Sequence, residues 1–287
     1  GVKVRSNSAL VNKRLFELTY DMKKFHVVAI KRNSVTIIPN GNSEIKDGDL
    51  VFFTSTNEYA VEIADLAGKE VFTVKNIMIM GGSRIAIRTC QYLSPNFNVK
   101  LIEIDREKCH DLLDKIPKHI TIYNGDGRDT DFLRNEGLED VAVTGNSEAN
   151  ILACLAAKRM GVKKTVAEVE NMDYIPMAEN LDIGTIINKK LITVSNIYRF
   201  LLSADISTVK SLTFANADVA EIVARPNSRI TRKEVKRLSL PDDITLGGLI
   251  RNGEAIMIDG DTQIEPYDHV VVFCIDEGLR NAEKLFK

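Results

Sequence analysis

The stretch Asn76-Ile77-Met78-Ile79-Met80-Gly81-Gly82-Ser83-Arg84-Ile85-Ala86 decides the fold. An apolar strand runs directly into a turn that fits G-x-G-x-x-[G/A], except that Ser83 stands at the second glycine. Gly81 allows the tight turn, Ala86 keeps the following helix close to the sheet, and the helix start offers N–H groups to a pyrophosphate. Ser83 places a Cβ where the motif wants bare backbone, although its hydroxyl could donate a compensating hydrogen bond. The competing reading is a tight strand-to-helix turn and nothing more.

Working outward, strand and helix patterns alternate. Asn76–Met80 is followed by a helix over Arg84–Leu93, a strand over Val99–Asp105, a helix over Arg106–Lys115 and a strand over Ile120–Tyr123. A helix over Asp129–Glu136, a short strand over Val141–Thr144, a helix over Ser147–Met160 and a strand over Thr165–Val169 complete the series. Such alternation implies βαβ units with right-handed crossovers and a doubly wound parallel sheet covered on both faces. Only Leu138-Glu139-Asp140 separates a helix from a strand near the middle, so either the sheet narrows there or residues are missing.

Ligands of open α/β sheets bind at the carboxyl ends of the strands. Glu103 lies 17 residues after Ala86, close to the roughly 20 expected of the acid that accepts hydrogen bonds from a ribose diol. A carboxylate there also repels a 2′-phosphate, which favours NAD or ATP over NADP. Asp105 competes for the role, and a solvated strand end is the plain alternative for Glu103. Asp126, in Asn124-Gly125-Asp126-Gly127-Arg128-Asp129, could reach the adenosine end or equally cap the next helix. Thr144 ends the fourth strand at the same edge, with Asn146 or Ser147 as a helix cap. Arg84 either neutralises phosphate or faces solvent.

The flanks are β-rich. Val27–Lys31, Thr36–Ile38 and Leu50–Thr54 read as strands, Asn40-Gly41 as a hairpin turn, and Val61–Ala67 as a helix ending at Gly68. After Ser211, strands read over Thr213–Phe214, Val219–Val223, Ala255–Ile258 and Val270–Ile275, then a helix over Gly278–Phe286. An offset of 219 maps Arg32, Asn33, Ile37, Gly41, Ile45, Asp49 and Val51 onto Arg251, Asn252, Ile256, Gly260, Ile264, Asp268 and Val270. Chance would give about one such identity, so the flanks read as two copies of one small α+β lobe. The expected organisation is a first lobe over 1–72, a Rossmann-type domain over 73–203 and a second lobe over 204–287.

Composition removes other classes. Lys plus Arg is 38 against 40 Asp plus Glu, a formal charge of −2, so there is no global case for nucleic acid. No apolar run approaches the roughly 20 residues of a membrane span, and no leader opens the chain, so the location reads as cytoplasmic. Gly1 is not a natural start, which points to a processed or shortened chain. Cys90, Cys109, Cys154 and Cys274 lack metal-ligand spacing, so no metal is expected. His26, His110, His119 and His269 all fall away from the strand ends, and no catalytic constellation emerges. An oxidoreductase is thereby disfavoured.

The Gly81–Ala86 turn, Leu101-Ile102-Glu103-Ile104-Asp105, Gly125-Asp126-Gly127 and the run from Val143 to Cys154 resemble the nucleotide-binding domain that regulates potassium transport. The segments Val28–Arg32, Ile37–Gly41 and Ile45–Asp49 resemble the small lobe that accompanies it. The chain is thus similar to the potassium-conductance-regulator (KTN) family, the cytosolic regulatory subunits of Trk-type potassium uptake, as their C-terminal portion. The resemblance implies a non-enzymatic protein, peripheral on the inner face of the cell membrane, that assembles as a homo-oligomer, a dimer or tetrameric ring, beneath a membrane potassium transporter subunit. It also implies NAD or NADH, or else ATP or ADP, bound by Gly81, Gly82, Ser83, Arg84, Ile85, Glu103, Asp105, Arg106, Asp126 and Thr144. Pairing between copies would run through Tyr174–Leu202, with Ile192, Ile197, Phe200 and Leu201 crossing.

Overall fold

The computed structural model describes all residues except 19–23, 34, 71, 136–140, 145–146, 202–205 and 213–214, and except the side chains of 141–144, 198–201 and 211. It forms two compact units, one of residues 1–71 with 191–287 and one of residues 72–190.

In chain order the first lobe contains β1 (Val2–Lys3), β2 (Lys13–Arg14), β3 (Phe25–Arg32), β4 (Val35–Ile37), β5 (Glu44–Ile45), β6 (Leu50–Ser55) and α1 (Ala60–Leu66). The middle segment contains β7 (Asn76–Met80), α2 (Arg84–Tyr92), β8 (Asn98–Glu103), α3 (Arg106–Leu113), β9 (Thr121–Asn124) and α4 (Thr130–Asn135). It continues with β10 (Val141–Thr144), α5 (Ser147–Arg159), β11 (Lys164–Glu168), α6 (Tyr174–Asn180) and β12 (Thr185–Ile187). Then come α7 (Lys189–Leu201), β13 (Ile206–Leu212), β14 (Ala217–Val223), β15 (Ile244–Arg251), β16 (Glu254–Met257), β17 (His269–Ile275) and α8 (Gly278–Phe286).

The middle sheet runs β12-β11-β10-β7-β8-β9, all parallel. Numbered within the sheet, this is the order 3-2-1-4-5-6 of the dinucleotide-binding fold, with the chain reversing direction across the sheet between β7 and β10. The four apolar residues of β7 explain the layering. Ile77 and Ile79 pack with Ala86, Cys90 and Leu112 on the α2 and α3 face, whereas Met78 and Met80 pack with Leu133, Ala153 and Ala157 on the α4 and α5 face. Successive strand residues point to opposite faces, so a continuous apolar run marks a strand buried on both. β10 is only four residues long yet pairs along its whole length with both neighbours. The suspect junction itself lies outside the described residues.

Two expectations change. The strand series is not complete at β11, because β12 follows it and adds a sixth parallel strand. Asn40-Gly41 does not join paired strands, since β4 and β6 lie on opposite sides of β3. The β3–β4 hairpin turns at Asn33 instead, with φ +55°, as does its counterpart at Asn252-Gly253 with φ +52° and +85°. Two positive φ values in a two-residue loop are those of a type I′ hairpin turn. The strand expected at Thr213–Phe214 lies outside the described residues.

The lobes repeat each other closely. Their sheets run β1-β6-β3-β4 and β13-β14-β17-β15-β16, the same order with one added edge strand. The bulge between Val27 and Ala29 recurs between Leu246 and Gly248, at the same offset of 219. Arg32 grips Asp49 with two hydrogen bonds of 2.8 and 2.7 Å and donates to the Glu44 carbonyl at 2.7 Å. Arg251 grips Asp268 at 2.9 and 2.6 Å and donates to the Gln263 carbonyl at 2.8 Å. Both aspartates are nearly fully buried and also accept a backbone N–H, from Lys46 and Glu265 respectively. Each is a bidentate, charge-assisted staple closing a turn onto a strand.

Candidate functional site

A cleft of about 300 Å³ opens at the carboxyl ends of β7, β8 and β9, beside the start of α5. Gly81, Ser83, Glu103, Lys108, Asp126 and Arg128 are among its lining residues. Its place is that of the topological switch point, where strand order reverses.

The turn that opens the cleft follows from its sequence. Gly81 adopts φ +86°, which a side chain would strain, and its N–H donates to the Ile102 carbonyl at 2.7 Å. Ser83, at φ −71°, needs no such freedom and is the N-cap of α2, its hydroxyl oxygen accepting from the Ala86 N–H at 3.2 Å. The N–H groups of Arg84 and Ile85 at this helix start have no acceptor among the described residues. Their side chains are exposed and line a separate apolar concavity along α2, together with Arg88, Thr89, Tyr92 and Leu93.

Glu103 is 4% exposed and accepts from three separate donors. Its Oε2 accepts from the Gly82 N–H at 2.7 Å and from the Lys108 ammonium at 2.7 Å, and its Oε1 accepts from the Asp105 N–H at 3.1 Å. Burial presses this carboxyl upward, but Lys108 and the two N–H groups outweigh it and hold it below the ordinary carboxylate range. Asp126 is gripped by Arg128, whose guanidinium donates to both oxygens, the shortest bond being 2.7 Å. That ion pair lowers the Asp126 carboxyl as well.

The structure divides the predicted set. Gly81, Ser83, Glu103 and Asp126 line the cleft, and Gly82 supplies the N–H that fixes Glu103. Asp105 does not line it: its carboxylate caps α3, accepting from the N–H of Glu107 and Lys108 at 2.9 and 3.2 Å. Arg106 is exposed in the first turn of that helix and does not line the cleft either. Asp126 is no helix cap, because Asp129 takes that task with the N–H groups of Asp131 and Phe132. Thr144 ends β10 opposite Met80, and its side chain lies outside the described residues, as does Asn146. Ser147 is not spent as a cap: its hydroxyl accepts from the Glu170 N–H at 2.8 Å.

Sequence reasoning missed three groups. Lys108 and Arg128 sit five and two residues beyond Glu103 and Asp126, and their side chains turn back onto those acids. Asn150, buried in α5, donates to the Glu168 carbonyl at 2.6 Å and ties the helix to the end of β11. Beyond it, Ser147, Glu168, Glu170 and Lys190 line a second, wider cleft over the β10–β11 half of the sheet.

Comparison with known proteins gives the following. The TrkA-N domain model matches residues 77–189, and the TrkA-C domain model matches residues 1–68 and again 219–287. The Trk system potassium uptake protein TrkA of Haemophilus influenzae is 30% identical over 269 residues, covering 91% of this chain and 58% of that protein. The TrkA homolog 2 of Methanosarcina mazei is 27% identical over 291 residues, covering 99% of this chain and 64% of that protein. The chain therefore spans about six-tenths of the length of these relatives. Among solved structures, the GsuK RCK domain aligns with 97% of this chain and 61% of its own, at 13% identity and a TM-score of 0.46. With both domain models matched, the second of them twice, the chain belongs to the family of TrkA-N and TrkA-C domain proteins.

Proposed function

We propose that this chain is the nucleotide-sensing part of a regulatory subunit of potassium uptake, which binds NAD(H) or an adenine nucleotide without turning it over. The observation that carries the reading is the cleft at the switch point. There Gly81 and Ser83 line the cleft together with the buried carboxylate of Glu103 at the end of β8, and the α2 start that follows them carries the open N–H groups of Arg84 and Ile85. This donor and acceptor set suits a pyrophosphate and a ribose diol. The names of the relatives support potassium uptake as the process. Glu103 and Asp126 are both held ionised, which makes them acceptors and poor proton donors, and this favours binding over hydride-transfer catalysis.

Among the described residues no helix is long and apolar enough to cross a membrane. The partner in this reading is a membrane potassium transporter subunit, on whose cytoplasmic face this protein sits, a reading that the names of the relatives support. Exposed Ile192, Val194 and Ile197 on α7 favour a second copy as the cover for that helix. The side chains of Phe200 and Leu201 lie outside the described residues. A nucleotide would act by preferring one conformation of the assembly, and only to the extent of its difference in affinity for the two states.

Calorimetric titration of the chain with NAD, NADH, ATP and ADP tests this. Saturable binding is expected, weakened by Glu103→Ala, and silence at millimolar ligand would reject the nucleotide reading. One observation favours a second reading, a Rossmann scaffold used only for assembly: Glu103 already spends most of its acceptor capacity inside the chain.

A further inference from the structure

A carboxylate offers about four acceptor sites, two on each oxygen. On Glu103, Oε2 has both occupied, by the Gly82 N–H and the Lys108 ammonium. Oε1 has one occupied, by the Asp105 N–H. A ribose diol grips a carboxylate best with one hydroxyl on each oxygen, and here only Oε1 has room. The three internal donors differ in mobility. Two are backbone N–H groups fixed by the turn and by α3, whereas Lys108 reaches in on a flexible stem whose side chain is 45% exposed. It is the only one of the three that can leave without unfolding anything.

We propose that Lys108 sets the affinity of this cleft for a ribose: its ammonium takes the acceptor that the second hydroxyl of the diol needs, and a two-bond grip forms only once the ammonium moves off. The inference rests on the nucleotide reading above and names the residue that tunes it. It makes Lys108 a positioning residue acting through Glu103. The same ammonium also attracts the phosphates of any nucleotide, so total affinity mixes two effects. The preference for a 2′-hydroxyl over a 2′-hydrogen isolates one of them, since the phosphate attraction is common to both ligands.

The test is calorimetric titration of the full chain with ADP and 2′-deoxy-ADP, in the unsubstituted protein, Lys108→Met and Lys108→Arg. In Lys108→Met the ratio of ADP to 2′-deoxy-ADP affinity is expected to rise on the order of tenfold, the value of one added charge-assisted hydrogen bond. In Lys108→Arg, which keeps a cation on Oε2, the ratio should stay where it was. A ratio that is unchanged or lower in Lys108→Met overturns the inference while leaving the nucleotide reading intact. Binding that appears only in Lys108→Met supports it. Absence of binding in all three proteins defeats both.

Discussion

Tyr267 carries a backbone conformation that its side chain opposes. It sits at φ +71° with 71% of its surface exposed, and its counterpart in the first lobe, at offset 219, is Gly48 at φ +81°. The same turn is therefore built twice, once with the residue that fits it and once with one that strains it. A left-handed conformation costs an L-residue roughly 1–2 kcal/mol, while glycine costs about 0.5–1 kcal/mol in extra freedom of the unfolded chain. The first term wins, and an exposed tyrosine loses little packing. Tyr267→Gly should therefore raise stability by about 0.5–1 kcal/mol, read as a higher urea midpoint at unchanged slope. A lower midpoint would mean that the ring makes contacts that outweigh the strain. Single residues were unevenly legible in the sequence. Glu103 was found because a motif fixes its distance from the turn. Lys108 was not, because a salt bridge turning back one helical turn leaves no pattern that distinguishes it from any solvated lysine.

Elements were legible where hydrophobic period and turn chemistry agreed. β7, α2 and β8 fall within a residue or two of their predicted bounds because an apolar run, a glycine turn and an amphipathic helix follow one another. β15 was missed because Gly247-Gly248 reads as a breaker. In the folded lobe Gly247 is small because Thr54 and Val28 of the first lobe press on it, so the cause lies 200 residues away. β12 was missed because three residues between two helical patterns carry too little periodicity to register. The α2 start offers a test at this scale, since Ser83 is at once a cap and the departure from the glycine motif. Ser83→Ala should cost about 1 kcal/mol, and Ser83→Gly only a few tenths. If the Ser83 Cβ crowds a phosphate, Ser83→Gly should also bind NADH more tightly, whereas Ser83→Ala should not. Denaturation and titration of both variants check the two halves, and equal affinities would clear the Cβ of blame.

At the scale of the whole chain the repeat has a physical consequence within the unit formed by the two lobes. Phe52 of the first lobe and Phe273 of the second pack with ring centroids 5.5 Å apart and planes tilted by 50°, in a buried cluster with Val28, Ala29, Ala215 and Ala217. Thr36 donates its hydroxyl hydrogen to the Ala215 carbonyl at 2.5 Å. Val28 packs beside Gly247, its own counterpart under the offset, as residues near the axis of an isologous contact must. Each lobe is under a hundred residues, a size at which one core rarely supplies much stability alone, so the shared face is part of what keeps both folded. Truncating Phe52 to alanine should cost about 3–5 kcal/mol, the usual loss for a buried phenylalanine. Because the cavity is shared, that loss should reach both lobes. Hydrogen exchange can see this directly: in Phe52→Ala the amides of β15 and β17 should lose protection together with those of β3 and β6, and by a similar amount. Loss confined to β3 and β6 would show that each lobe stands on its own core, Val27, Ile30, Ile45 and Val51 in one and Leu246, Leu249, Ile264 and Val270 in the other, and that the contact between them is incidental to folding.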